Sequence, residues 1–553
     1  MDIERAEEST LTLNPVIGIS REDVVRTGLS VARELLLQPA IAMRQALGFW
    51  QKEVDVVFGE SRLAPAKNDP RFADPSYRRP IFRIPLQSWL AFEKTLQEWV
   101  DEVGFDALER ERARFLAQLV ADAVAPSNFL LGNPSALRKA RATRGSSLLR
   151  GLRHFARDLV WNGGMPAQVD ASAFRVGDNI ATTEGAVVHR DPILELIQYR
   201  PLRATVSARP ILIVPPQINK FYVYDLTAEK SIVRFLLERG FQVFMVSWRN
   251  PTAEHREWGL EDYVDAIERA LGATSAISAS RDVHTVGACA GGITLAAALG
   301  HLAAKDALDC VASLTLMVNV LDVRRDDSVM GLFATDQAIE AARRNSARKG
   351  VLDGRDTARV FNWMRPNDLI WNYVVASYLH GDPLPTFDIL YWNNDTTRLP
   401  ARLHGDFLDF FKHNALASPG RLKIHGLPID LGKVTRPVFI VGGTTDHITP
   451  WRACYRSTGL FGGERTFVLS SAGHIQSLIN PPGPSKRKFY TNPECGPDAD
   501  LWRANATEHE GSWWPYWADW LHPAGAREKD APTGLGDAHH SVLCAAPGTY
   551  VHE

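Results

Sequence analysis

The stretch Val283 to Ile293 (VHTVGACAGGI) constrains the fold of this chain more than any other. An apolar β-branched run meets Gly287-Ala288-Cys289-Ala290-Gly291, and a small-residue apolar stretch follows, so the order is strand, tight turn, helix. Small residues on both sides of Cys289 let a sharp turn lift its side chain above a sheet, which is the nucleophile-elbow pattern with cysteine in place of serine. A helix beginning here adds positive potential and unpaired N–H groups that favour a thiolate and a developing oxyanion. The pattern is short, and taken alone it competes with a buried, inert cysteine.

The chain around it has the texture such an elbow needs. Short apolar runs at Ile211 to Val214, Gln242 to Ser247, Val283 to Val286, Leu314 to Leu321, Val438 to Val441 and Arg465 to Leu469 read as strands. Helical patterns at Glu229 to Arg239, Leu260 to Leu271 and Gly292 to Lys305 fall between them, the alternation of an α/β fold with a mostly parallel sheet. The catalytic domain is therefore expected over 191–553. More than 110 residues separate Leu321 from Val438, too many for a loop, so an insertion over about 322–435 with structure of its own is expected. It is rich in Trp, Tyr and Asn, as in Phe361 to Tyr373 and Tyr391 to Pro400, which suits a cap over a site. Residues 1–190 read as a mainly helical N-terminal domain, with helical spacing at Arg21 to Leu47 and Leu86 to Val124. The aromatic run Ser512 to Trp520 reads as packing at the end of the domain.

Composition removes several classes. Of 553 residues, 45% are hydrophobic and 23% charged, which excludes a disordered or fibrous chain. Lys plus Arg (62) nearly balances Asp plus Glu (64), so nothing global favours nucleic acid or an anionic membrane. No apolar run reaches the roughly 18 residues of a membrane span. The acidic start, Met1 to Thr10, lacks the basic-then-apolar order of a secretion signal, and a cytosolic protein is expected. Five widely spaced cysteines without a CxxC pair argue against disulfides and zinc.

An elbow nucleophile needs an acid and a base from later strand ends, in that order. Val438 to Val441 runs into Gly442-Gly443-Thr444-Thr445-Asp446, and the strand ending at Leu469 leads to Ser470-Ser471-Ala472-Gly473-His474. Asp446 and His474 are thus the candidate acid and base, with Asp322 as an alternative acid and His447 as a weaker alternative base. An oxyanion would be held by the Ala290 N–H and by an N–H of the Pro215 to Tyr222 loop, assigned to Ile218, where two prolines fix the backbone. The chain has no GxxxxGK[ST], no GxGxxG with a suitable acid and no metal-ligand spacing, so phosphoryl transfer, dinucleotide chemistry and metal catalysis lack their parts.

Longer strings carry a resemblance: Leu13 to Gly18, Pro215 to Tyr222 (PPQINKFY), Val246 to Pro251, Arg256 to Gly259, Met364 to Tyr373, Asp388 to Pro400 (DILYWNNDTTRLP), Asp446 to Trp451 (DHITPW), Gly473 to Gly483 and Ala546 to Glu553. In these the chain resembles the class II polyhydroxyalkanoate synthases of the α/β-hydrolase superfamily. The resemblance implies an enzyme that polymerises (R)-3-hydroxyacyl-CoA of medium chain length into an intracellular polyester, with Cys289 in the modified lipase box and Asp446 and His474 as acid and base. It implies no cofactor, coenzyme A being part of the substrate and a released product. As partners it implies the growing polyester chain, the granule surface and a second copy in a homodimer. One departure is Ala290, where class II members usually carry serine; it bears on acyl preference. A cysteine thioesterase on the same fold and a granule protein without catalysis are the competing readings.

Overall fold

A computed structural model describes residues 28, 33–34, 37–67, 69–324, 336–354, 366–484 and 486–553. Met1 to Thr10, the string Leu13 to Gly18, and parts of Arg21 to Leu47, of the 322–435 insertion and of Met364 to Tyr373 lie outside the described residues. Contacts divide the chain into two units, one built from Ile19–Asp170 and Arg359–Phe387, the other from Ala171–Ala358 and Asp388–Glu553.

The second unit is built on runs of Val, Ile, Leu and Phe that are buried on both faces, as strands of a parallel sheet covered by helices must be. An eleven-stranded sheet results. Its strands are β1 (Gly185–Arg190), β2 (Leu194–Tyr199), β3 (Ile211–Val214), β4 (Val243–Trp248), β5 (Val283–Ala288), β6 (Val311–Met317), β7 (Val438–Gly443), β8 (Arg465–Ser470), β9 (Lys488–Thr491), β10 (Thr507–Glu510) and β11 (Cys544–Ala545). The order is β10-β9-β8-β7-β6-β5-β3-β4-β2-β1-β11. Strands β3 to β8 run parallel, and these are the six expected from the sequence. The outer strands are antiparallel. Of these, β9 (KFYT) and β10 (TEHE) escape the sequence pattern because each is only four residues long, and β10, at an edge of the sheet, carries no apolar residue. At the other side the fully buried Glu195 of β2 holds the C-terminal residues: its carboxylate pairs with Arg190 at 2.5 Å and accepts the N–H groups of Thr549 and Tyr550 at 2.9 and 3.0 Å. The aromatic run packs as expected, with Trp513, Trp514 and Trp517 all buried.

The helical unit contains α1 (Pro39–Phe58), α2 (Pro80–Glu102), α3 (Ala107–Ala123), α4 (Pro134–Ala142) and α5 (Ser146–Trp161). The pattern expected as one stretch over Leu86 to Val124 is two helices, because Asp106 caps α3, its carboxylate accepting the Glu109 N–H at 2.8 Å. Aromatic clusters around Phe72, Tyr77 and Trp89 and around Trp99 and Phe105 form its core.

Two expected boundaries move. The first falls at 170 rather than 190, because Gly185–Arg190 is a strand of the sheet. The insertion expected as one cap over 322–435 divides, and its residues 366–387 pack in the helical unit. There two π-helical turns, Asn367–Trp371 and Val374–Leu379, follow one another, and the second lies against α5. Gly151 of α5 permits the approach, since a Cβ at that position would sit 1.9 Å from the Tyr378 carbonyl oxygen. Arg71 to Asn367 (2.9 Å), His154 to Ser377 (3.1 Å) and Tyr378 to Asp158 (3.1 Å) hold the segment.

Candidate active site

All the candidate residues lie in the second unit, at the carboxyl ends of the parallel strands, where open α/β sheets bind ligands. Helix α6 (Ile232–Glu238), α7 (Leu260–Ile277) and α8 (Cys289–Ala304) cover the sheet. The elbow is tighter than its sequence suggests: β5 continues through Ala288 and α8 begins at Cys289, not at Gly292. Cys289 itself turns the corner, with φ +46°, in the left-handed region that costs a non-glycine residue about 1–2 kcal/mol. Two glycines make this possible. A Cβ at Gly287 would lie 2.8 Å from Gly292 Cα, and one at Gly291 would lie 2.3 Å from the Pro215 carbonyl oxygen, so strand, helix and the loop after β3 meet backbone to backbone.

Asn319 completes the corner. Its Nδ2 donates to the Cys289 carbonyl at 2.6 Å from a fully buried position. The sequence reading missed it because a strand was expected through Leu321; β6 in fact ends at Met317, and Val318 turns away with φ +44°.

Asp446 and His474 meet as expected. The His474 Nδ1 lies 2.7 Å from Asp446 Oδ2, both side chains essentially without exposure. Asp446 Oδ1 accepts the N–H groups of Ile448 and Thr449 at 2.9 Å each, and Oδ2 also accepts the Thr449 hydroxyl at 2.6 Å. Burial is the largest influence on His474 and opposes its charge, yet the Asp446 carboxylate and the Cys289 thiol beside the ring outweigh it, and its pKa is pushed up to about 10. Burial raises Asp446, but His474 and the Thr449 donors hold it below the usual carboxylate range. The alternative acid Asp322 is engaged elsewhere, accepting from Asn414 Nδ2 at 2.7 Å and from Arg456 Nε at 3.4 Å. The other buried cysteine, Cys454, makes a 3.4 Å contact with the Thr449 carbonyl, and burial and Asp446 raise its thiol pKa well above the usual value. Among the described residues no cluster of three potential metal ligands occurs, and no helix is long and apolar enough to cross a membrane.

The loop after β3 is tied to the elbow helix. Thr294 Oγ1 donates to the Ala290 carbonyl at 3.2 Å, Gln217 Nε2 donates to Thr294 Oγ1 at 3.0 Å, and Thr397 donates its hydroxyl to the Gln217 carbonyl (2.6 Å) and its N–H to the Ile218 carbonyl (2.9 Å). Trp392, fully buried, donates Nε1 to the Lys220 carbonyl at 2.7 Å, while Lys220 and Tyr222 both reach Asp395, at 3.0 and 2.7 Å. The DILYWNNDTT segment is thus a clamp on the loop that carries Ile218. Tyr224, also buried, has a hydroxyl with no hydrogen-bond partner, and burial with Cys289 nearby pushes its phenol up. No local pattern marked it.

The pair sets a pH dependence of stability. His474, raised above its unfolded value of 6.5, contributes stability that is complete below pH 6.5 and lost as pH rises through about 10. Asp446, lowered from 3.8, contributes stability present above pH 3.8 and lost on further acidification. The expected result is that the stability difference between wild type and Asp446→Asn is largest near pH 6.5 and shrinks toward pH 10, by up to about 1.4 kcal/mol per pH unit. Denaturant midpoints across that range measure it; a difference that grows with pH would contradict it.

The chain is similar to known proteins along nearly its whole length. A family model described as the N-terminus of poly-beta-hydroxybutyrate polymerase (PhaC) matches residues 68–236, and one for the alpha/beta hydrolase fold matches 210–481. The chain is 49% identical over 550 residues to poly(3-hydroxyalkanoate) polymerase 1 of Ectopseudomonas oleovorans, covering 99% of this chain and 98% of the relative. It is 50% identical to polymerase 2 of the same organism over 97% and 96% of the two chains. A third relative, the poly(3-hydroxyalkanoate) polymerase subunit PhaC of Cupriavidus necator, is 38% identical over 92% of this chain and 87% of its own.

Proposed function

Because this chain belongs to the poly(3-hydroxyalkanoate) polymerases, acyltransferases on an α/β-hydrolase fold, we propose that it builds its polyester through a thioester on Cys289. The observation that carries the proposal is a strained cysteine at the β5–α8 corner beside a buried imidazole whose outer nitrogen is unused: His474 Nδ1 is committed to Asp446, and Nε2 has no hydrogen-bond partner. With Asp446 on its inner nitrogen, the ring is oriented with its outer nitrogen available to exchange a proton with the thiol, and the cation formed is stabilised.

Cys289 sulfur attacks the thioester carbonyl of a (R)-3-hydroxyacyl-CoA, its proton passing to His474. The oxyanion is held by the N–H groups of Ala290 and Ile218, and collapse breaks the carbon–sulfur bond to CoA, which leaves with the proton from His474. The acyl thioester on Cys289 is about as energy-rich as the substrate. The 3-hydroxyl oxygen of another unit then attacks it, His474 takes the hydroxyl proton, a new ester forms and the Cys289 thiol is restored. Asp446 acts by orienting His474. Its two oxygens already accept four hydrogen bonds, the full capacity of a carboxylate, so little remains for the incoming hydroxyl.

Medium-length acyl chains are the proposed substrates, as the class II pattern implies, and Ala290 bears on the preference because its side chain follows Cys289 directly. Association with the polyester granule is supported by the helical unit. Met43, Leu47, Trp50, Val54 and Val57 recur at four- and three-residue spacing on α1 and are all more than half exposed, as are Leu149, Leu152, Leu159 and Trp161 on α5. Apolar surface of this extent suits an apolar product phase. A homodimer is part of the same reading, and light scattering tests it.

The purified chain, given (R)-3-hydroxyacyl-CoAs of graded length, is expected to release CoA together with insoluble polyester, fastest with medium chains. CoA release accompanied only by free 3-hydroxy acid would point to a thioesterase instead.

A further inference from the structure

A second concave site lies at the opposite edge of the sheet. The cavity of about 780 Å³ is lined by residues that precede β3, β5, β6 and β7, among them Arg209, Asp282, Asp309 and Arg436, so it opens at the amino ends of the strands whose carboxyl ends carry the candidate active site. The six residues of β5 separate Asp282 from Cys289 by roughly 20 Å of strand. A thioester bound at Cys289 does not account for it.

Its charge is unbalanced. Arg209, Arg281, Arg436, Arg527 and Lys529 line it against the two carboxylates of Asp282 and Asp309. Arg209 pairs with Asp282 at 2.8 Å, while Asp309 is shared between Arg436 at 2.5 Å and Arg281 at 3.5 Å. Arg436 still has a buried Nε with no hydrogen-bond partner. Lys529 donates to the neutral Ser278 carbonyl rather than to a carboxylate, and burial, followed by the charge of Arg527, lowers its pKa. Leu521 and Pro523 supply an apolar wall. Arginine forks in a concave, partly apolar site recognise phosphate oxygens, and the volume is that of a nucleotide rather than of a single phosphate.

We propose that this cavity binds a nucleotide-sized anion carrying two or more phosphate groups, as a second site distinct from the polymerising one. The test is calorimetric titration of the full-length chain with two probes, inorganic pyrophosphate and adenosine 3′,5′-bisphosphate. Saturable one-site binding is expected, weakened at least tenfold in the double variant Arg527→Gln/Lys529→Gln, with CoA release in the absence of probe unchanged. Arg281→Gln, at a side chain 83% exposed and so without effect on folding, is expected to weaken binding in the same direction. The control Arg78→Gln/Lys94→Gln, in the helical unit, is expected to bind as wild type does. Equal affinity for the two probes assigns recognition to the phosphates alone; tighter bisphosphate binding adds the nucleoside. Failure of both probes to saturate, unchanged affinity in both pocket variants, or an equal loss in the control would overturn the proposal. None of these outcomes depends on the role of Cys289.

Discussion

Cys289→Ala is expected to bring CoA release and polyester formation to background while leaving the fold intact. The sulfur is the only atom lost, at a side chain 7% exposed, so the packing cost is small, and no other cysteine stands at an elbow. The strained corner adds a second, sharper expectation. Alanine inherits the left-handed conformation of Cys289, φ +46°, whereas glycine adopts it freely. Cys289→Gly should therefore equal or exceed Cys289→Ala in stability by up to about 1 kcal/mol, with both inactive, although glycine in a helix ordinarily costs about that much relative to alanine. Chemical unfolding of the two variants reads the strain directly. A glycine variant clearly less stable than the alanine one would remove the strained elbow, and normal turnover in either would remove the nucleophile.

His474→Gln is expected to slow acylation by roughly 10²- to 10⁴-fold, the range attributable to a positioned general base, with substrate binding little changed. Glutamine keeps a donor for Asp446 Oδ2 but has no nitrogen that can take the thiol proton. His447→Gln is the control and should be near wild type, because Asp446 gives its Oδ2 to His474. Single-turnover CoA release separates the two. A silent His474→Gln beside a damaged His447→Gln would reverse the assignment.

The parts of this site that the sequence disclosed are those written locally. Cys289, Asp446 and His474 each follow an apolar run and sit among glycines and small polar residues, so strand, turn and functional side chain appear within ten or so letters. Asn319 and Tyr224 are different. Their importance lies in what they face across the fold, the Cys289 carbonyl for one and the Cys289 neighbourhood for the other, and nothing adjacent in the chain signals it. The insertion divides for a similar reason. Trp392, read as part of an aromatic cap, is a fully buried clamp on the Lys220 carbonyl, and residues 366–387 are held by Gly151, His154 and Asp158, more than 200 positions earlier. Strands β9 and β10 are four residues each, too short to announce themselves, and β1 lies within the 1–190 stretch that reads as helical overall.

The central claim is a covalent acyl group on Cys289, and intact-protein mass spectrometry after rapid mixing with a medium-chain (R)-3-hydroxyacyl-CoA tests it most directly. The account predicts a mass increase of one or more 3-hydroxyacyl units that is released by hydroxylamine, maps to the peptide containing Cys289 and is absent from Cys289→Ala. An adduct on the peptide containing Cys454, or polyester formation with no adduct on Cys289 at any time point, would contradict it.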